Sequence, residues 1–571
     1  MRRQFGASYV LAYVAFALMA GACGSENGDL PVVSSEGGVL SISLQALTND
    51  TLFDDIDSAR IVLYEAASAF GDEPVFESGC VGYGGDHFEI EDLSPGVDYT
   101  IIVDLYHASG CLGTDLALRG VRGGIEVEKK GNASSPYVIP TVAVDAFLPL
   151  PGQVDDHYPL NDSRGRVFHT ATAVGDGRIV VVGGGEGIAG SDGDQIIGGS
   201  AIPEVFDSRE MLFHRVPNNP MNSQRVMAHA AAALPDGRIA VAGGVSAVRM
   251  RISETTNGRR LNVDVPEYIC YSTCDNPNFV FNLNLLDIDD GATQTLSLAA
   301  PRVFGSLDVV SAGGAQHLVL AGGVPGEKDF SGYDAFGWEI DSQGGLVNQG
   351  TRFLAEQRSG HASVCFRGSS EGGCRGLAYL GGVPAGTPYA EWMGDTTEEF
   401  SAATIDGAPL GSSVLLPGAA GVDGLMFVTG GVAGDDMSGV GRLPPAAIAM
   451  TTDGSGVYTL LDLGDGFPLA GELLFHTVTA LPGRRVLITG GLDYDLRPTS
   501  RAFVVRADGG EFVLERTFNL NAARFGHTAT VVDGGPFDGA VLILGGLTMN
   551  DGGGFELVTT NEMMLPSSSI D

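Results

Sequence analysis

Between residues 38 and 144, apolar and polar positions alternate in short runs. GVLSISLQAL, ARIVLYEA, HFEIEDL, YTIIVDLYH, GGIEVEKK and YVIPTVAV each repeat with period two, separated by clusters of Gly, Pro, Asp and Asn. Short strands at this spacing predict a β-sandwich. From about residue 148 a second pattern takes over. An apolar run closes on Gly-Gly at Gly183, Gly243, Gly322, Gly381, Gly430, Gly490 and Gly545, at steps of 60, 79, 59, 49, 60 and 55 residues. Self-similarity at such a period is the mark of a repeat architecture.

Each copy parses as a hairpin. HTATAV is a strand, GDG or PDG is the turn, and RIVVVGG is the return strand. Asp-Gly supplies the positive φ that a tight hairpin turn demands. A variable loop follows, then a third strand such as PEVFDSRE and a fourth such as LFHRVPN. Four strands per repeat is the arrangement of a β-propeller blade. A His stands ahead of the glycine pair at His169, His229, His361, His476 and His527, and an Arg opens the segment at Arg166, Arg225, Arg302, Arg358 and Arg524. The third copy has no His, the sixth has no Arg, and the fifth, GSSVLLPGAAGVDGLMFVTGG, has neither.

R-x-x-H-T-A-T, then D-G-R, V-x-G-G and V-x-D, resembles the kelch motif in the form found in galactose-oxidase-type propellers. The resemblance covers roughly three quarters of the chain and implies an all-β fold with a propeller over residues 148–571. Seven copies imply seven blades; the weak fifth copy leaves six open. The chain ends on a third strand, TTNEMMLPSSSID, so the segment before Arg166, near DDHYPLND, is expected to supply the missing fourth. Such closure removes exposed sheet edges. In the first domain, residues 38–147, LSPGVDYTIIVDLY resembles the E–F corner of fibronectin type III and carboxypeptidase-regulatory-like domains. That resemblance rests on Leu93, Pro95, Gly96 and Tyr99 and implies a Tyr99 hydroxyl bonded back to the loop.

The N-terminus reads as an address. MRRQFGASYVLAYVAFALMAGAC has Arg2 and Arg3, an apolar run and small residues before Cys23, the form of a secretory signal over residues 1–22. AGAC also resembles a bacterial lipobox, with Ala20 where Leu is commoner. Of seven cysteines, six remain once Cys23 is assigned to a lipid: Cys80, Cys111, Cys270, Cys274, Cys365 and Cys374. An even remainder suits disulfides in an exported chain. Cys80 pairs with Cys111, Cys270 with Cys274 in CYSTC, and Cys365 with Cys374 across a hairpin turn. The polar stretch at residues 23–37 reads as a tether.

Composition narrows the partners. A formal net charge of -38 excludes a general nucleic-acid binder, which needs a basic surface. Recurrence from copy to copy makes Arg166, His169, Arg225, His229, Arg358, His361, His476, Arg524 and His527 structural braces. One His per blade does not converge on a metal, and DIDDG at Asp287–Gly291 lacks the distal Glu of a calcium loop. Galactose oxidase itself holds copper with His and Tyr, one Tyr being crosslinked to Cys. Local cysteine pairs leave none for that link, so neither a metal nor another cofactor is expected, and no catalytic residue is assigned.

Function is therefore sought where the repeat is broken. The second copy carries an insertion after Gly244 holding Arg249, Arg251, Arg259, Arg260, Tyr268 and Tyr271. Arg and Tyr dominate binding hot spots; the plainer reading is a tolerated insertion whose arginines pair with nearby acids. The expectation is a non-enzymatic, lipid-anchored protein of the bacterial outer membrane or cell surface, with a sandwich as spacer and propeller loops presented to a protein or glycan. A periplasmic or secreted protein is the alternative address, and a carbohydrate-active enzyme is the alternative function.

Overall fold

The computed structural model describes residues 38–570, apart from 151–164, 219–224, 270–275, 325–333, 383–389, 394–400, 407–413, 434–447, 462–472 and shorter loops. The chain is nearly all β, built of many small sheets and two of eight strands, one of them a half-barrel. Among the described residues no helix is long and apolar enough to cross a membrane.

The half-barrel sheet is N-terminal. Its strands are β1 (Gly38–Gln45), β2 (Ser58–Glu65), β3 (Phe76–Glu77), β4 (Val81–Gly82), β5 (His87–Leu93), β6 (Asp98–Tyr106), β7 (Leu116–Glu126) and β8 (Tyr137–Ala143). Pairing runs unbroken in the order β3-β2-β6-β7-β8-β1-β5, with β4 also on β2. Two separate layers were expected. The link arises because β1 pairs with β5 on one side and, in parallel, with β8 on the other. One apolar core, including Leu40, Ile61, Ile101, Val103 and Ile139, fills the curl. Tyr99 is buried, and its hydroxyl donates to the Ser94 carbonyl and accepts from the Ser94 amide, each at 3.2 Å. Cys80 and Cys111 form a disulfide.

This domain packs on the repeat region. Its Tyr106, Leu116, Val121 and Val142 share a core with Ile179, Phe206 and Phe213 of the first repeat module and Phe537, Leu542 and Met563 of the last. Arg119 donates to the Pro536 carbonyl at 3.0 Å while its other nitrogens hold Asp104. The sequence pattern missed this because the apolar residues involved lie on strands that also read as ordinary core strands.

The seven hairpins begin with the strands Thr170–Ala173, Ala230–Ala233, Ser306–Ala312, Ala362–Gly368, Gly418–Val422, Thr477–Leu481 and Thr528–Val531. Each lies against the next, and the seventh lies against the first. The third and fourth modules are also joined through a parallel contact of Val310 with Cys374. The last module takes its fourth strand from β9 (Leu148–Pro149), with Met563 opposite Leu148 and Glu562 opposite Pro149. That strand lies upstream of the expected DDHYPLND segment, which is outside the described residues.

A second set of bonds runs around the ring. The amide of the second glycine of each pair donates to a carbonyl of the next module: Gly184 to Val226, Gly244 to Arg302, Gly323 to Arg358, Gly382 to Val414, Gly431 to Leu473, and Gly491 to Arg524. Gly546 then donates to Arg166, at 2.6 Å, and the cycle is closed. The first glycine of each pair is equally constrained. A Cβ on Gly545 would lie 2.1 Å from the Arg166 carbonyl oxygen, at a φ of 59° that side chains rarely adopt.

Gly545→Ala is therefore expected to cost about 2–4 kcal/mol of stability. Gly187→Ala, whose Cβ would meet nothing within 4 Å, should change it by less than about 0.5 kcal/mol. Denaturant unfolding of the two variants checks the contrast; equal losses would refute the close-approach account.

Candidate functional site

The recurrent Arg and His are braces with definable partners. Arg166, Arg358 and Arg524 are fully buried. Each donates to the carbonyl of the first glycine in its own module: Gly183 at 3.0 Å, Gly381 at 2.8 Å and Gly545 at 2.8 Å. Each also meets a buried carboxylate on its third strand: Glu204, Glu391 and Glu562 respectively. Burial pulls the Arg358 and Arg524 guanidinium groups below their usual range, and the paired glutamates oppose it. Arg302 repeats the carbonyl bond, to Gly322 at 2.8 Å.

Arg225 does not belong to this set. It is exposed, and Val226 occupies the buried position whose carbonyl receives Gly184. The second copy has one more residue between Arg and His than the first, so Arg225 is displaced outward. The three glutamates went unassigned in the sequence because their strands differ, although PEVFD, AEWM and NEMM carry the acid near a common place.

The histidines brace neighbouring modules. His229 Nε2 bonds the Thr170 hydroxyl at 2.8 Å, His361 bonds Ser306 at 3.0 Å, and His169 bonds Thr528 at 2.9 Å. His527 bonds Thr489 at 2.9 Å and lies 3.4 Å from Thr477. Where the His is missing, so is the hydroxyl: Gly305 follows a module with Ala230, and Pro417 follows one with Ala362. His476 is the exception, facing Gly418, where a Cβ would sit 2.6 Å from its Nε2. Burial lowers the pKa of His169, His229 and His361 to about 3 and of His476 to about 4, and holds His527 well below the ordinary value. The ring therefore contains neutral imidazoles at neutral pH. Among the described residues no three His, Cys, Asp or Glu come together as a metal site.

The insertion is a sheet rather than a loop. Ala247–Thr255 and Gly258–Asp264 pair as a hairpin and join Gly185–Ser191 and Asp194–Gly199 of the first module in one four-stranded antiparallel sheet. Its inner side buries Ile197, Val248, Met250, Leu261 and Val263 against Val167, Val303, Leu415, Leu474 and Phe525, which come from around the ring. Two buried amides lock it. Asn278 bonds both backbone groups of Ala247, and Gln195 does the same for Phe555 of the last module.

Strand alternation puts Arg249, Arg251 and Arg260 on the outer side of this cap. Arg249 grips Asp194 with two bonds of 2.7 Å, and Arg251 bonds Asp264 at 2.6 Å. Arg259 is half-buried, and Arg260 is exposed. Tyr268 lies in a two-residue strand, Tyr268–Ile269, against Asn276–Pro277; its side chain, Tyr271, Cys270 and Cys274 lie outside the described residues, as does Cys23. Cys365 and Cys374 form the hairpin disulfide. The DIDDG segment is a turn, with Asp287 Oδ1 accepting from the Asp289 amide at 3.0 Å.

No family model matches this chain, and no curated protein does. Among solved structures the chain is similar to that of YjhT, at 11% identity and a TM-score of 0.37, over 61% of this chain and 98% of that one. A likeness this distant speaks neither to activity nor to ligand.

Two outcomes follow from the braces. The unfolded state binds protons at each histidine below pH 6.5 while the fold does not, so these groups make stability fall as pH drops from about 6.5 toward 3. His229→Gln should flatten that slope, read as unfolding midpoint against pH; an unchanged slope would contradict the neutral-imidazole account. Glu391→Ala, which strands the Arg358 charge, should cost about 3–5 kcal/mol, and the double variant Arg358→Met with Glu391→Leu appreciably less.

Proposed function

We propose that this chain is an exported, lipid-anchored binding protein whose repeat region is a seven-bladed kelch-type propeller. The closed cycle of seven glycine amides and the fourth strand lent by β9 support that blade count. The curled N-terminal sheet with its Tyr99 corner we read as a fibronectin-like sandwich whose layers are joined through β1. Cys23 would carry the lipid, and residues 23–37 would form the tether.

One observation carries the binding role. The longest interruption of the repeat is folded, pinned by Asn278 and Gln195, and set over the end of the ring with its arginines outward. A merely tolerated insertion has no need of such anchoring. A rigid sheet that presents ordered guanidinium groups has the preorganisation a recognition surface requires. Asp194 and Asp264 orient Arg249 and Arg251 without removing all their donors. The ligand expected is an envelope protein or glycan.

Arg251→Ala with Arg260→Ala should reduce chemical crosslinking to envelope partners at least tenfold, with the unfolding temperature unchanged. Undiminished crosslinking would end the cap's role. Mass spectrometry of the mature N-terminus tests the anchor separately: an acylated Cys23 is expected, and an unmodified terminus would refute it.

A further inference from the structure

Beneath the cap the axis of the ring is closed by residues of the ring itself. In all seven modules the residue before the His position is left-handed: Phe168, Ala228, Phe304, Gly360, Leu416, Phe475 and Gly526, with φ between 51° and 63°. Backbone bonds link these residues round the ring, among them Ala228 to Phe168 at 2.9 Å, Phe304 to Ala228 at 3.0 Å and Phe168 to Gly526 at 3.1 Å. Phe168 touches Phe304, at 6.1 Å between centroids, and Phe475, at 5.2 Å. These residues belong to the first, third and sixth modules, which are not neighbours. Their rings can meet only on the axis. Four of the seven residues are large and three are Ala or Gly, so a few big side chains fill the centre and plug it beneath the cap.

These plug residues are half-buried, and so are most residues of the seven leading strands that run away from them. The axis below the plug is therefore a blind well. Its floor is apolar and its walls carry mostly Thr, Ser, Ala, Gly and Val. One carboxylate stands on these seven strands: Asp308. It occupies the place held elsewhere by Thr172, Ala232, Val364, Ala420, Thr479 and Thr530. Ser363 donates to it at 2.6 Å, and the Tyr379 hydroxyl approaches at 3.5 Å. Asp308 lies four residues beyond Phe304, in the strand Ser306–Ala312 that runs away from the plug.

We infer that the well binds an organic ammonium ion with an apolar tail, its charge on Asp308 and its tail on the Phe168, Phe304 and Phe475 floor. A single carboxylate does not suit a hard metal ion, which needs six or more oxygen ligands. It does suit one ammonium group. An apolar floor with an acid above it suits an ammonium group that carries an alkyl tail. The net charge of -38 draws cations toward any opening in this protein. The inference depends on the ring as observed and not on the cap's proposed role.

Burial pushes the Asp308 carboxyl up to about 6, against the pull of its hydroxyl donors. The groups around it are Ser306 on its own strand, Ser363 on the next leading strand with His361 just ahead of that strand, and Tyr379 behind; Arg358 and Glu391 beyond are paired with each other. His361 stays neutral through this range. Ammonium affinity should therefore fall as pH drops from about 7 to 5.

The probe is octylammonium, titrated calorimetrically into the intact protein beside octanol and octanoate. Octylammonium should bind at least tenfold more tightly than octanol, and Asp308→Asn should remove that advantage together with the pH dependence. Equal binding of the amine and the alcohol, or an unaltered response in Asp308→Asn, would overturn the site. Should that variant not fold, a photoreactive diazirine at the tail end of the amine decides the matter in the natural protein. Labelling of peptides containing Phe168, Phe304 or Phe475 supports the well; labelling confined to other regions refutes it.

Discussion

The architecture depends on a single repeated hydrogen bond, from the amide of the second glycine in each pair to a carbonyl in the following module. Seven such bonds form a cycle that ends where it began, with Gly546 on Arg166. The bond requires two backbones to approach with no Cβ between them, which is why the sequence repeats Gly-Gly. The other repeated elements serve this approach. The buried arginine ties the first glycine's carbonyl to its own module, and the imidazole packs against the glycine of the module before it.

Closure in a ring of this kind is a problem at one place only. The first and last modules are adjacent in space but lie at opposite ends of the repeat region. The strand that completes the last module, β9, offers two paired residues, which is little by itself. The N-terminal domain supplies the rest by burying Tyr106, Leu116, Val121 and Val142 against both modules. Asp145 adds a bond to the Ser567 amide and an ion pair with Arg516, while Asn521 holds the Phe147 carbonyl. The connecting segment is thus part of the closure, and the N-terminal domain clamps the first and last modules together.

Local order was legible in the sequence, and long-range order was not. The hairpins, the glycine pairs, the Cys80–Cys111 and Cys365–Cys374 pairs and the Tyr99 corner all follow from residues close in sequence or from strict recurrence. The paired absence of His and hydroxyl at Gly305 and Ala230, and again at Pro417 and Ala362, was also on the page, but its meaning depends on knowing which modules touch. Arg225 was misplaced because one inserted residue changes which side chain faces inward. Glu204, Glu391 and Glu562 were missed because a buried acid in a strand has no signature apart from its partner. The cap was beyond reach because its sheet is assembled from two different modules.

The two ends of the ring are chemically unlike, and the placement of the N-terminal domain gives that difference a direction. The cap grows from the loops between second and third strands. The N-terminal domain packs at the opposite end, where Arg119 reaches Pro536 in the turn between the first two strands of the last module, and Gly123 lies against Arg209 in the turn between the last two strands of the first. On the proposed reading, a lipid on Cys23 would hold the cap end away from the membrane, with Arg249, Arg251 and Arg260 outermost, and the axis with Asp308 would face the anchored side. A large partner would then reach the cap, and only a small ligand would pass beside the N-terminal domain to the other end. The closure that makes the ring rigid would in that way keep the two proposed kinds of recognition apart.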